Sequence, residues 1–242
     1  MSNRRTRDHL TAERKRQAAA DRRKRGIWIA VGVSVLVVAL VVVFAVVQNS
    51  RTSTDVVDAA LPALVDEQGG GMVFGDGATT LDVWLDFQCP NCKEFEAAYG
   101  EAISDAVANG DITLVIHSLS FLDETLQNDS SSLAANAFGC SAAAGEDKSL
   151  AFQQVVFDNQ PAEQVGVAAW SNEDLVAWGD EAGISEDAWQ QCVDDNAFTG
   201  WVEQVAASQV DAGVTGTPSV FVDGEAFSLE QDLTPVLAGT GQ

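Results

Sequence analysis

Apolar and polar residues alternate along Thr79–Phe87: Leu81, Val83, Leu85 and Phe87 fall on one side, Asp82, Trp84 and Asp86 on the other, which predicts a strand. A second apolar run, Asp111–Ser118, predicts another. Between them a helix is predicted from Pro90 to about Ala108, stopped by Asn109-Gly110. A strand, a helix and a strand in that order predict a parallel pair joined by a helical crossover. Met72-Val73-Phe74 reads as a short edge strand ended by Gly75-Asp76-Gly77. The pattern then turns helical over about 121–196, with stretches at Ser131–Ala144, Leu150–Asn159, Asn172–Ala182 and Ser185–Asn196. Starts are marked by Ser171-Asn172-Glu173-Asp174 and Ser185-Glu186-Asp187, and breaks by Gly145, Pro161 and Gly183. A helix over about Thr199–Asp211 leads to a strand at Ser219–Val222, the hairpin turn Asp223-Gly224, a strand at Glu225–Phe227 and a short helix near Thr234–Leu237. The order predicts an α/β sheet with a helical insert between its halves, and no internal repeat.

Ahead of that pattern, Ile27–Val47 runs without a charge and is long enough to cross a hydrocarbon core of about 30 Å. A secretory signal has a shorter apolar region and a small-x-small exit, which Ala45-Val46-Val47-Gln48-Asn49-Ser50 matches poorly. The reading is one uncleaved transmembrane helix, 27–47, after a basic arm, 1–26, that contains ten of the 13 Lys and Arg residues. Positive flanks stay in the cytoplasm, so the arm is expected inside the cell membrane and the rest of the chain outside. The arm lacks aromatic residues and ends at the span, which favours lipid contact over nucleic acid. Residues 48–71 read as a tether, with an apolar patch at Val56–Val65 expected to dock as a short helix, and 72–242 as the folded domain. Beyond the span only Arg51, Lys93 and Lys148 are basic, against 33 acidic residues. Such a surface repels nucleic acid and acidic partners.

Candidate chemistry lies where the first strand meets its helix, at Cys89-Pro90-Asn91-Cys92. Two cysteines with two residues between them serve either zinc or redox chemistry. A structural zinc site needs about four N or S ligands. Here there is no second such pair, and the histidines are His9, in the basic arm, and His117. A redox pair is the reading, with no metal and no cofactor. Helix-start amides and dipole favour a thiolate at Cys89, and a thiolate is the species that attacks disulfides. The remaining cysteines, Cys140 and Cys192, lie in helical segments. An even count in an extracytoplasmic chain argues that they pair, and two unpaired core cysteines are the alternative. Val214-Thr215-Gly216-Thr217-Pro218 precedes a buried strand. A proline there starts a strand in trans or forms a cis bond that presents the Thr217 backbone to an extended substrate.

Asp86-Phe87-Gln88-Cys89-Pro90-Asn91-Cys92-Lys93-Glu94-Phe95-Glu96, together with Val214–Gly224 and the helical insert between them, resembles the DsbA-like branch of the thioredoxin superfamily. The anchor and the second cysteine pair are similar to the actinobacterial membrane-tethered members. The resemblance spans about Met72–Leu237 and implies a thioredoxin-like fold and thiol–disulfide exchange. It implies Cys89 as the attacking cysteine, Cys92 as its resolving partner and Pro218 as the cis proline. The implied substrates are reduced secreted or cell-envelope proteins, and the implied re-oxidant is a vitamin K epoxide reductase-like or DsbB-like membrane protein. Two positions depart from the pattern. Strongly oxidising members have a His where this chain has Asn91. Many relatives have a buried carboxylate where this chain has Val83, with Asp82 and Asp86 nearby. A reductase or isomerase on the same fold, or a non-catalytic envelope scaffold, are the other readings.

Overall fold

The computed structural model describes residues 60–65 and 70–239. Five strands form one sheet in the order β1-β3-β2-β4-β5, where β1 is Met72–Phe74, β2 Thr79–Asp86, β3 Ile112–Leu119, β4 Ser219–Val222 and β5 Glu225–Phe227. Helix α1, Pro90–Ala108, carries the chain from β2 to β3, which run parallel from Thr79↔Ile112 to Asp86↔Leu119. The other three pairings are antiparallel. The β4–β5 turn places Asp223 at φ 50° and Gly224 at φ 82°, the left-handed pair that an Asp-Gly hairpin allows. Strand β2 ends at Asp86, one residue earlier than the alternation predicts, because the Cys89 N–H donates to the Asp86 carbonyl (3.0 Å) and turns the chain.

Both faces of β2 are covered. Val83, Leu114 and Ile116 line one small cavity together with Phe95 and Ile103 of α1. Trp84 stacks on His117 at 3.9 Å, and Asp86 is buried. The alternation in β2 therefore marks two packed faces, and its polar positions are not a solvent side.

Between β3 and the second half of the sheet stand α2 (Leu122–Leu126), α3 (Ser130–Ser141), a 3₁₀ turn (Ala142–Ala144), α4 (Glu146–Asp158), α5 (Asn172–Glu181) and α6 (Asp187–Asp194). Then come α7 (Thr199–Ser208) and, after β5, α8 (Thr234–Leu237). One helix starts earlier than its apolar residues suggest: α4 begins four residues before Leu150, with Glu146 and Asp147 in its first turn, where the helix dipole favours acids. Ser171 closes a reciprocal cap with Asp174. Ser185 does not cap: Glu186 takes that place without a side-chain bond, and α6 is shorter than expected at both ends. Helices α5 and α6 approach closely, since a Cβ on Gly179 would lie 2.3 Å from Trp189 Nε1. A Cys140–Cys192 disulfide (S–S 2.02 Å, Cα–Cα 5.9 Å) joins α3 to α6.

Residues 60–65 and 70–71, assigned above to the tether, lie on the domain. Pro62 is buried, Val65 bridges to Met72, and Trp201 Nε1 donates to the Gly70 carbonyl (2.8 Å). The stretch 63–64 is a turn and not a helix, closed by the Val65 N–H donating to the Pro62 carbonyl. The basic arm and the span Ile27–Val47 lie outside the described residues, among which no helix is long and apolar enough to cross a membrane.

Candidate active site

Cys89 is the N-cap of α1, with extended backbone at φ −75° and ψ 120° and Pro90 at the first helical position. Proline fits there because that N–H has no partner within the helix. The Cys89 carbonyl accepts from Cys92 N (3.1 Å) and Lys93 N (3.2 Å), so both cysteines belong to the first turn. The sulfurs are reduced and adjacent, and the Cys92 thiol hydrogen-bonds Cys89. This bond is the largest influence on Cys89, whose thiol is lowered to about 6, against desolvation that pushes the other way. The Asn91 and Cys92 backbone amides and Thr217 also lower it. Cys92, 1 % exposed, is pushed strongly upward, first by burial and then by its neighbour Cys89. The geometry gives one thiolate near neutral pH at the rim and one protonated thiol beneath it.

The Thr217–Pro218 bond is cis, and the Thr217 carbonyl lies 3.4 Å from Cys89 Sγ. The structure thus brings Cys89, Cys92 and Thr217 together from chain segments 128 residues apart. Pro90 and Asn91 form the exposed outer edge of the turn. Cys140 and Cys192 are joined to each other. Among the described residues no cluster of His, Cys, Asp and Glu is arranged to hold a metal ion.

Several polar residues around the thiols carry no motif. Asp86 Oδ1 accepts from Gln88 N (2.9 Å) and Ser131 Oγ (2.6 Å), and its Oδ2 accepts from Leu122 N (3.1 Å). Gln88 Nε2 donates to Ser131 Oγ and to Asp123, which in turn caps Ser131 and Ser132. Burial raises the Asp86 carboxyl to about 7 against these donors. Gln160 Nε2 donates to the carbonyls of Phe87 (2.6 Å) and Cys89 (3.1 Å). Lys93 Nζ reaches the carbonyls of Asp158 and Gln160. Gln88 and Gln160 line a cleft of about 140 Å³ with Pro161 and Val167. Asp86, an acid close to Cys89 in sequence, is the visible signal of this shell; Gln160 and Ser131 have none in the sequence.

Val83 lines a small apolar cavity bordered by Glu96, whose carboxylate accepts from Gln153 Nε2 (2.9 Å) and is pushed up to about 7 chiefly by burial. His117 Nε2 lies 3.2 Å from Asp82 Oδ1. Its contacts are Asp82 and Trp84, not the thiols.

The family model described as Thioredoxin matches residues 67–236. No curated protein sequence matches the chain. Solved structures share its fold. MdbA, a thiol-disulfide oxidoreductase from Actinomyces oris, is 23% identical with a TM-score of 0.61, covering 76% of this chain and 93% of that one. MdbA from Corynebacterium diphtheriae is 20% identical (TM-score 0.60; 80% and 100% covered). DsbA from Mycobacterium tuberculosis, oxidised form, is 24% identical (TM-score 0.55; 67% and 88% covered).

Proposed function

Because this chain belongs to the thioredoxin family, we propose that it is a thiol–disulfide oxidoreductase that introduces disulfides into secreted or cell-envelope proteins through Cys89 and Cys92. The observation that carries the reading is the unequal pair at the start of α1: Cys89, at the helix N-cap, lowered to about 6, and Cys92, more deeply buried, pushed up. The likeness to DsbA and the two MdbA structures supports the same chemistry. The run Ile27–Val47 with its basic flank supports a single-pass anchor and an extracytoplasmic domain.

The cycle begins with Cys89 and Cys92 joined. A client thiolate attacks Cys89 Sγ, a mixed disulfide forms, and Cys92 leaves as a thiolate that takes up a proton. The client's second thiolate then attacks its own sulfur in the mixed disulfide and releases Cys89 as a thiolate. The client loses two electrons, which reside on the reduced pair until a membrane re-oxidant of the DsbB or vitamin K epoxide reductase type accepts them. Stabilising the Cys89 thiolate stabilises the reduced enzyme and makes the oxidised form the stronger oxidant. The Thr217 backbone beside Cys89 gives an extended client an edge to pair with.

Ultraviolet titration of the thiolate is expected to show a midpoint near 6 for Cys89. The equilibrium potential against glutathione then falls by about 59 mV per pH unit below that midpoint and by about 30 mV above it, where one proton fewer is taken up. Oxidised protein refolds reduced ribonuclease, and Cys92→Ala accumulates mixed disulfides with clients. A midpoint at about 8.5, the free-thiol value, with no trapped client, overturns the assignment.

A further inference from the structure

The disulfide between α3 and α6 forms part of the wall of a cleft of about 410 Å³, which Cys140 and Cys192 line together with Ala143, Ala188 and Trp189. A cleft of this size admits a small molecule. The two half-cystines are unequal: Cys140 is 4 % exposed, whereas Cys192 is partly exposed. Disulfides sealed in a core resist reduction, and exposed ones are the labile ones. Among the described residues Glu186 is the one charged group on the cleft wall. Lys148 Nζ lies 3.9 Å from its Oε1, an exposed pair, and such pairs neutralise little. Beyond the apolar span the chain has 33 acidic against 3 basic residues, a field that repels anions.

We propose that Cys140–Cys192 is a second thiol–disulfide exchange site, attacked at Cys192 through this cleft by small uncharged thiols. Neither Cys89 nor Cys92 takes part in it. In the first step the thiolate of a small thiol bonds to Cys192 Sγ. The Cys140–Cys192 bond breaks, and Cys140 leaves as a thiolate that takes up a proton from water. A second small thiolate then attacks the small molecule's own sulfur in the mixed disulfide. Cys192 is released as a thiolate and is protonated in turn. The protein gains two electrons and two protons, and two small thiols are oxidised to their disulfide. The point of attack follows from access: Cys192 is the reachable half, and the more deeply buried Cys140 is the leaving group. Trp189 is held edge-on to Phe152, with ring centroids 5.1 Å apart, and lies close against Gly179. That wall is fixed, which suits a small molecule better than a polypeptide.

The test uses the full-length protein with Cys89→Ser and Cys92→Ser, in which Cys140 and Cys192 are the only cysteines left. Mercaptoethanol and its anionic analogue mercaptoethanesulfonate are the probes, with iodoacetamide to quench the reaction and peptide mapping to locate the adduct. The first adduct is expected on Cys192, at a rate proportional to thiol concentration and changed by less than about twofold in about 1 M urea. Reduction that had to wait for unfolding would instead accelerate by about fivefold or more per molar urea, as unfolding equilibria do. Mercaptoethanol is expected to react about fivefold faster than the sulfonate at low salt and about equally at molar salt. Ala188→Phe fills the cleft and slows the reaction by about tenfold, while Ala188→Ser leaves it unchanged. Ala143→Phe is the second filling variant and slows it likewise. A first adduct on Cys140, a rate that climbs with urea as unfolding does, full-speed reaction in both Phe variants, or equal rates for the two thiols at low salt each overturn the proposal.

Discussion

Cys89 and Cys92 are chemically identical side chains three positions apart, made different by what surrounds them. Cys89 stands at the helix N-cap, where hydrogen bonds led by that from Cys92 lower it; in Cys92 desolvation outweighs its hydrogen bonds. Their pairing was legible because spacing, Pro90 and helix-start placement are all local. Asp86 was legible only as a nearby acid, since two of its donors, Leu122 and Ser131, come from the insert. Its carboxyl, raised from 3.8 to about 7, carries a cost of ionisation in the fold that grows as pH rises from about 4 and is complete above about 7. Asp86→Ala orphans the donors of Gln88, Ser131 and Leu122. It is expected to destabilise by about 2 kcal/mol at pH 5, where the wild-type carboxyl is neutral, and by less at pH 8, where the mutation also removes a buried charge. Urea unfolding at the two pH values checks both size and trend; a penalty that grows with pH contradicts this account.

Among elements, the strands were the most readable. Turn residues bracket β1, β4 and β5 so tightly that their bounds follow from sequence. Helix boundaries were less so. The start of α4 is set by Gly145 at φ 102° and by first-turn acids, not by apolar spacing. Helix α2 is five residues long, a single turn without a period to detect. The α3–α6 link closes a loop of 52 residues. Replacing both Cys140 and Cys192 by Ala is expected to lower unfolding stability by about 4 kcal/mol in the chain-entropy view. Denaturant titration of the reduced-active-site form measures it, and a loss below 1 kcal/mol would mean the helices are held chiefly by contacts such as Phe152 on Trp189.

At the scale of the molecule, element order and the position of the insert were readable, while the joining of insert to thiols was not. Gln160, Ser131 and Asp123 reach the residues beside Cys89 from positions that carry no pattern of their own, because these hydrogen bonds exist only once the chain is folded. The acid excess beyond the apolar span, 33 acidic against 3 basic residues, gives a self-repelling surface. Screening at molar salt shrinks the Debye length to about 3 Å and relieves it. The melting temperature is expected to rise by about 2–4 °C between low and molar sodium chloride, equivalent to about 1 kcal/mol. A flat or falling melting temperature would show that the acids are already balanced by local hydrogen bonds.

Thr217 follows Cys89 by 128 residues. While the polypeptide is being made, both thiols therefore leave the ribosome long before the carbonyl that faces them exists. A half-synthesised molecule has both sulfurs but not the Thr217 carbonyl that stands beside Cys89 in the finished fold. The arrangement around Cys89 is complete only when the last third of the chain has arrived, after Cys140 and Cys192 as well.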